Sequence, residues 1–252
     1  MMVVIGLFEA STLSITNLSY SIDERNSIFR DVSFEVKEGE FVSIIGKSGS
    51  GKSTLFKLIA GLIKPDSGEI VLTDNKTKLL GEVGYMPQQD LLLPWKTVLE
   101  NVSLPLEVKK EKLNLEEIRL WLARFGLDRY EHAYPHELSG GMRQRAAFLR
   151  TLLTGKDLLL LDEPFGALDS FTKRKMQSWL LGLWDDLQKT ILLVTHDLEE
   201  ALLLSDRILI LSTTGIKDWK VSLSRPRCDQ VIYQPEFMTM RKELELLIHH
   251  ES

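Results

Sequence analysis

The residues best placed to do chemistry form a short run, Gly46-Lys47-Ser48-Gly49-Ser50-Gly51-Lys52-Ser53-Thr54, which fits the pattern G-x-x-x-x-G-K-[ST]. Its glycines let backbone N–H groups close around a phosphate, and a helix starting there adds a favourable dipole. Lys52 would neutralise the outer phosphates of a nucleoside triphosphate, and Ser53 would offer its hydroxyl to Mg²⁺. A second run, Leu158-Leu159-Leu160-Leu161-Asp162-Glu163, is apolar until it delivers two carboxylates. Alternation along a strand sends neighbouring side chains to different sides. Asp162 therefore suits the Mg²⁺ shell, and Glu163 suits polarising an attacking water. Two acids at a strand end are usually just solvated; the phosphate loop earlier in the chain is what gives this pair a task. His196 follows a third apolar run, Ile191 to Val194, and is read as a donor to the terminal phosphate that orients the water together with Glu163.

Leu138-Ser139-Gly140-Gly141-Met142-Arg143-Gln144-Arg145 is a polar, glycine-rich turn running straight into a helical pattern, a second helix start suited to an anion. The other histidines are given no role. His132 and His136 have helical ligand spacing, but Pro135 lies between them, and His249-His250 sit in the tail.

These residues need elements to hold them. Runs at Leu13 to Leu18, Val32 to Val36 and Phe41 to Ile45 read as strands, the last feeding the phosphate loop and then a helix from Ser53 to Leu62. Pro65-Asp66-Ser67-Gly68 is a turn, followed by strands at Glu69 to Leu72 and Val83 to Met86. From Leu91 to Leu153 the period becomes helical, with Leu115, Ile118, Leu122 and Phe125 on one face and a solvated charge run from Lys109 to Lys112. Strands return at Leu158 to Leu161, Ile191 to Val194 and Ile208 to Leu211, with an amphipathic helix from Ser170 to Leu187 and a short one from Leu198. This alternation predicts an α/β fold with a largely parallel sheet and its ligand site at the strands' carboxyl ends.

The order of these motifs, with the Leu138-Ser139-Gly140-Gly141 signature, the strand-end acids, the Ala167-Leu168-Asp169 loop and His196, strongly resembles the ABC ATPase family over nearly the whole chain. The resemblance implies a P-loop, RecA-like core (1–90 and 155–215) with an antiparallel β subdomain, an inserted helical subdomain (91–154) and a short tail (216–252). It implies ATP and Mg²⁺ as ligands, and a head-to-tail homodimer in which each ATP lies between one subunit's phosphate loop and its partner's signature helix. Leu138, Ser139, Gly140, Gly141 and Asp169 would then serve nucleotide bound to the other copy. Tyr85-Met86-Pro87-Gln88-Gln89 looks like the family's glutamine loop, with Gln88 as the Mg²⁺ and water contact. Tyr20 or Ile22 would stack on adenine. Met142 departs from the family's usual glutamine, losing one side-chain hydrogen bond while keeping the backbone donors.

Leu92-Leu93-Pro94-Trp95, Tyr134-Pro135-His136-Glu137 and Pro164-Phe165-Gly166-Ala167-Leu168-Asp169 look most like importers of nitrate, sulfonate, taurine or bicarbonate, and thiamine-precursor uptake ATPases are similar. The implied partners are an integral membrane permease, met through Gln88 to Trp95 and the helical insertion, and indirectly a solute-binding protein. A soluble ABC ATPase of ribosomes or DNA would carry two cassettes or a long coiled coil, and a P-loop kinase would have no use for the signature.

Composition agrees. A net charge of -5 gives no electrostatic footprint for nucleic acid. The lone Cys228 fits a reducing cytoplasm. Met1 to Ala10 is apolar but too short to span a bilayer and lacks a basic flank. The expected place is the cytoplasmic face of the cell membrane, as a peripheral subunit.

Overall fold

The computed structural model describes residues 11–23, 27–73, 76–111, 113–166, 168–187, 189–212 and 215–250. The readings on Met1 to Ala10, Lys112 and Ala167 lie outside them. In chain order the strands are β1 (Ser11–Ser21), β2 (Ser27–Lys37), β3 (Phe41–Gly46), β4 (Ser67–Leu72), β5 (Gly84–Met86), β6 (Leu158–Asp162), β7 (Thr190–Val194), β8 (Arg207–Ser212) and β9 (Gly215–Lys220). The helices are α1 (Lys52–Ile59), α2 (Val98–Lys109), α3 (Leu115–Arg124), α4 (Gly140–Leu152), α5 (Ser170–Leu187), α6 (Leu198–Leu204) and α7 (Pro235–His250).

Two sheets result. One is antiparallel, in the order β2-β1-β4. The other runs β5-β6-β7-β3-β8-β9, with β5 through β8 parallel and β9 closing the edge antiparallel to β8. The central strands are mostly apolar because both faces are covered. Leu159, Leu161, Ile191 and Leu193 point to the helical side, where α2 to α7 pack, and Leu158, Leu160, Leu192 and Val194 point to α1 and the antiparallel sheet. β2 instead alternates Val32, Phe34 and Val36 inward with polar residues outward, as a sheet with one wet face must.

The segment after Ser212 is more than a tail in packing terms. β9 completes the sheet, and α7 buries Phe237, Met240 and Leu244 in the helical-side core. No described helix is long and apolar enough to cross a membrane.

Candidate functional site

The strand order β6-β7-β3 sets three carboxyl ends side by side. Asp162 is level with Val194, and Val194 with Ile44, so the acids, His196 and the phosphate loop all emerge at one rim. The loop leaves β3 at Gly46 and turns with Ser50 N–H donating to Lys47 O at 3.1 Å. Gly51 takes a left-handed φ of 93°, and a Cβ there would come within 2.3 Å of Ile28 Cγ2, so only glycine fits. Lys52 opens α1, and its Nζ donates to Gly46 O at 2.9 Å and Lys47 O at 2.8 Å. Burial holds the Lys52 pKa below the ordinary lysine value, against the pull of Glu163 and Asp162. Ser50 Oγ is buried in the loop without a hydrogen-bond partner among the described residues.

Asp162 is buried at the end of β6, where Ser53 Oγ donates to its Oδ1 at 3.1 Å and Tyr85 OH to its Oδ2 at 3.5 Å. Burial raises the Asp162 pKa; the Ser53 bond opposes this and repulsion from Glu163 adds to it. Burial, followed by the charge of Asp162, pushes the Tyr85 phenol up to about 12. Glu163 then leaves the strand with φ 46°, pinned by its N–H to Val194 O at 2.9 Å and by Gly166 N–H to its own carbonyl at 3.1 Å. That left-handed step costs on the order of 1 kcal/mol for a non-glycine residue. It separates the two acids. Glu163 Oε2 accepts from Gln88 Nε2 at 3.0 Å and lies 3.4 Å from His196 Nδ1.

Together these groups line a cleft of about 520 Å³, whose walls include Ser48, Gly49, Gly51 to Thr54, Gln88, Glu163 and His196. That volume suits a nucleotide-sized ligand. Among the described residues no cluster of three His, Cys, Asp or Glu could hold a metal on its own. The oxygen donors Ser53 and Asp162 nevertheless fit Mg²⁺, which takes one or two protein oxygens and completes its shell with phosphates and water.

The structure sets apart the two residues read as candidates for the adenine wall, Tyr20 and Ile22. Tyr20 packs against the core beside the antiparallel sheet and does not line the cleft, whereas Ile22 and Ile28 do. The reason is local: β1 holds Tyr20 in register with Phe29 and ends at Ser21, which releases the exposed Ile22 toward the phosphate loop. Lys47 faces a second cavity, shared with His196, Leu198, Glu245 and Ile248.

The glycine-rich helix start stands apart from this cleft: none of Leu138, Ser139, Gly140 and Gly141 lines it, nor does Asp169. Ser139 caps α4, accepting from Met142 N–H at 3.3 Å, while Met142 packs its side chain against the core, so the Gln-to-Met departure leaves the helix start intact. Gly141 lies so near α5 that a Cβ would stand 2.7 Å from Thr172 Cγ2. Asp169 caps α5 through Phe171 and Thr172 N–H groups, both at 3.1 Å, and hydrogen bonds from Thr172 hold its pKa down.

Several groups that orient the site carry no motif. Asn101 is fully buried, accepts from Leu93 N–H and donates to Leu93 O, Lys96 O and Thr97 O. Arg150 donates to Asp90 O and Leu91 O, and the Arg143 guanidinium pairs with the Asp90 carboxylate at 3.3 Å, so α4 grips the segment after Gln88. Asp197 caps α6 directly after His196; an acid followed three residues on by Glu200 was the available signal. His132 is exposed and paired with Glu131, and His136 stacks on Tyr134.

The sequence pattern of the ABC transporter family matches residues 29–166. The chain is 47% identical, over 95% of its length and 97% of the relative's, to the formylaminopyrimidine import ATP-binding protein ThiZ of Halalkalibacterium halodurans. It is 39% identical, over 92% and 94%, to the aliphatic sulfonates import ATP-binding protein SsuB of Bacillus cereus. Among solved structures, a dimeric post-hydrolysis state of the ATP-binding cassette MJ0796 bound to ADP and Pi superposes with a TM-score of 0.73 at 34% identity. That alignment covers 84% of this chain and all of the other.

Proposed function

The chain belongs to the ABC transporter family and is an ATPase of that family, and from this premise we propose that it powers import of a small solute through a separate membrane permease. Two copies would meet head to tail, each closing its cleft with the other's Ser139 turn. The observation that carries the reading is the meeting of Gln88, Glu163 and His196 at the mouth of the phosphate-loop cleft.

The loop's backbone N–H groups and Lys52 bind the β- and γ-phosphates, Lys52 exchanging its two carbonyl partners for phosphate oxygens. Ser53, Asp162 and Gln88 would hold Mg²⁺, which neutralises charge on the phosphates when bound. Glu163 polarises the attacking water and takes its proton, and Gln88 and His196 fix that carboxylate and the water in line with the γ-phosphoryl group. Ile22 and Ile28 offer the apolar wall for the base, a role sequence reasoning divided between Tyr20 and Ile22. The Ser139 helix start gives the partner's γ-phosphate a second set of N–H donors.

Leu91 and Trp95 are 56% and 71% exposed on a loop that Asn101 and Arg150 hold rigid, which supports a permease contact there, at the cytoplasmic face of the membrane. A solute-binding protein would meet the permease from the other side. The relatives' names support a formylaminopyrimidine or an aliphatic sulfonate as cargo; uptake of labelled formylaminopyrimidine and of an alkanesulfonate by cells with and without the gene separates them.

Glu163→Gln tests the mechanism. It should keep ATP affinity and lose at least about a hundredfold in turnover, with an ATP-bound dimer accumulating on gel filtration. Unchanged turnover would remove Glu163 from the reaction.

A further inference from the structure

A buried polar cluster stands directly behind His196. Lys173, one turn into α5, places Nζ 2.8 Å from Asp197 Oδ2 and 2.9 Å from Glu200 Oε2. Glu200 is 2% exposed and takes a further bond from Gln177 Nε2 at 3.2 Å. The other oxygen of Asp197, Oδ1, accepts from Glu199 and Glu200 N–H at 2.9 and 3.2 Å and so caps α6, while Asp197 N–H donates to Thr195 Oγ1 at 3.0 Å. His196 sits between Thr195 and Asp197, the two residues that this last bond joins. Its own side chain is 63% exposed and meets Glu163 across 3.4 Å, so among the described residues little else fixes where the imidazole stands.

We propose that Lys173 is a positioning residue for hydrolysis: by bridging Asp197 and Glu200 it ties the His196 turn to α5, the helix whose first turn Asp169 caps, and so sets the imidazole against Glu163. The distances make the cation the common partner of both acids, and α5 supplies Gln177 to the same carboxylate from the next turn. Burial works against a charged Lys173, yet Glu200 and Asp197 outweigh it and hold the amine's pKa above the ordinary lysine value. Burial lifts the Glu200 carboxyl in spite of Lys173, whereas at Asp197 burial is outweighed by the Lys173 bond and the carboxyl is held low. The cluster therefore keeps its cation at neutral pH. A turn fastened this way moves when the start of α5 moves, and the start of α5 touches Gly141 of the glycine-rich helix start. Contact of a second copy with that region would thus reach His196 through the Lys173 bridge rather than through the nucleotide.

The inference rests on the role given above to His196, so His196→Ala is measured beside the Lys173 variants. Removing Lys173 alone would leave Glu200 buried without its cation; the informative protein is Lys173→Met combined with Glu200→Gln, which withdraws both charges. It is expected to match the parent in thermal midpoint and in ATP affinity, to lose about tenfold in kcat, and to change KM less than about twofold, the cost of a misplaced group rather than a lost binding contact. Lys173→Arg, which can bridge two carboxylates, should keep most of the turnover. If that double variant does not fold, Lys173→Leu combined with Glu200→Met, which withdraws the same two charges and fills the buried space with apolar groups, is expected to show the same loss. Parental kcat in either variant, with His196→Ala inactive, overturns the tether while leaving the hydrolysis reading intact. Parental turnover in His196→Ala overturns both.

Discussion

Asp162 stands at 3% exposure with one good hydroxyl bond from Ser53 and a longer one from Tyr85, and burial lifts its carboxyl above the ordinary carboxylate value. A group whose folded-state pKa is raised contributes stability below its unfolded pKa and loses it as pH rises through the folded value. At neutral pH the ionised Asp162, with Glu163 next to it, therefore opposes folding. Asp162→Asn should raise the thermal midpoint at pH 7 without ligand, by about 2–4 °C for each kcal/mol recovered, and the gain should shrink as pH falls toward the carboxylate range. The same variant should lose the extra stabilisation that Mg²⁺ and ATP give the parent, since that gain scales with bound-state affinity. A lower midpoint at pH 7, or full retention of the Mg²⁺-ATP increment, would contradict the assignment. The chemical residues were open to sequence reading because phosphate, metal and water accept few side-chain types at few spacings.

At the scale of elements, Asn101 shows why the rest was hidden. In the sequence it is one polar residue in a helical stretch; in the fold its amide makes four hydrogen bonds to the backbone between Leu93 and Thr97. Nothing local announces that, because the meaning lies in where the loop returns. Asn101→Ala should cost about 1–3 kcal/mol for the buried backbone groups it abandons, read as a lower denaturant midpoint. It should loosen the Trp95 loop, seen as faster amide exchange at Leu93 and Thr97, with basal ATP affinity unchanged. Unaltered exchange there would mean the loop is held by something else. Secondary structure divided the same way. β6, β7 and β8 are apolar runs with polar residues only at their ends and β3 is apolar but for the buried Ser43, because both faces are covered, and α5 begins and ends at the expected Ser170 and Leu187. β9 was not anticipated: Gly-Ile-Lys-Asp-Trp-Lys is the mixed pattern of an edge strand. α7 lies in the segment expected to be a short tail, yet its Phe237, Met240 and Leu244 recur at helical spacing and are buried.

For the molecule as a whole, two apolar cores flank one parallel sheet, and every group proposed to touch the nucleotide of its own chain leaves that sheet at one rim or lies within the cleft beside it. Ser139 does not, and this separation inside one chain has a consequence that can be counted. If a working centre needs the Lys52 of one copy and the Ser139 of another, damage at the two positions should not simply add. Lys52→Ala and a bulky Ser139→Arg should each be inactive alone. Mixed and allowed to exchange, a quarter to a half of the ceiling activity should return, since each hybrid pairs the two intact halves in one place and both lesions in the other. Continued silence of the mixture, with exchange verified by tagged chains, would mean that each polypeptide completes its own centre. Complementation of this kind turns a gap in the geometry of one chain into a yield measured in a tube.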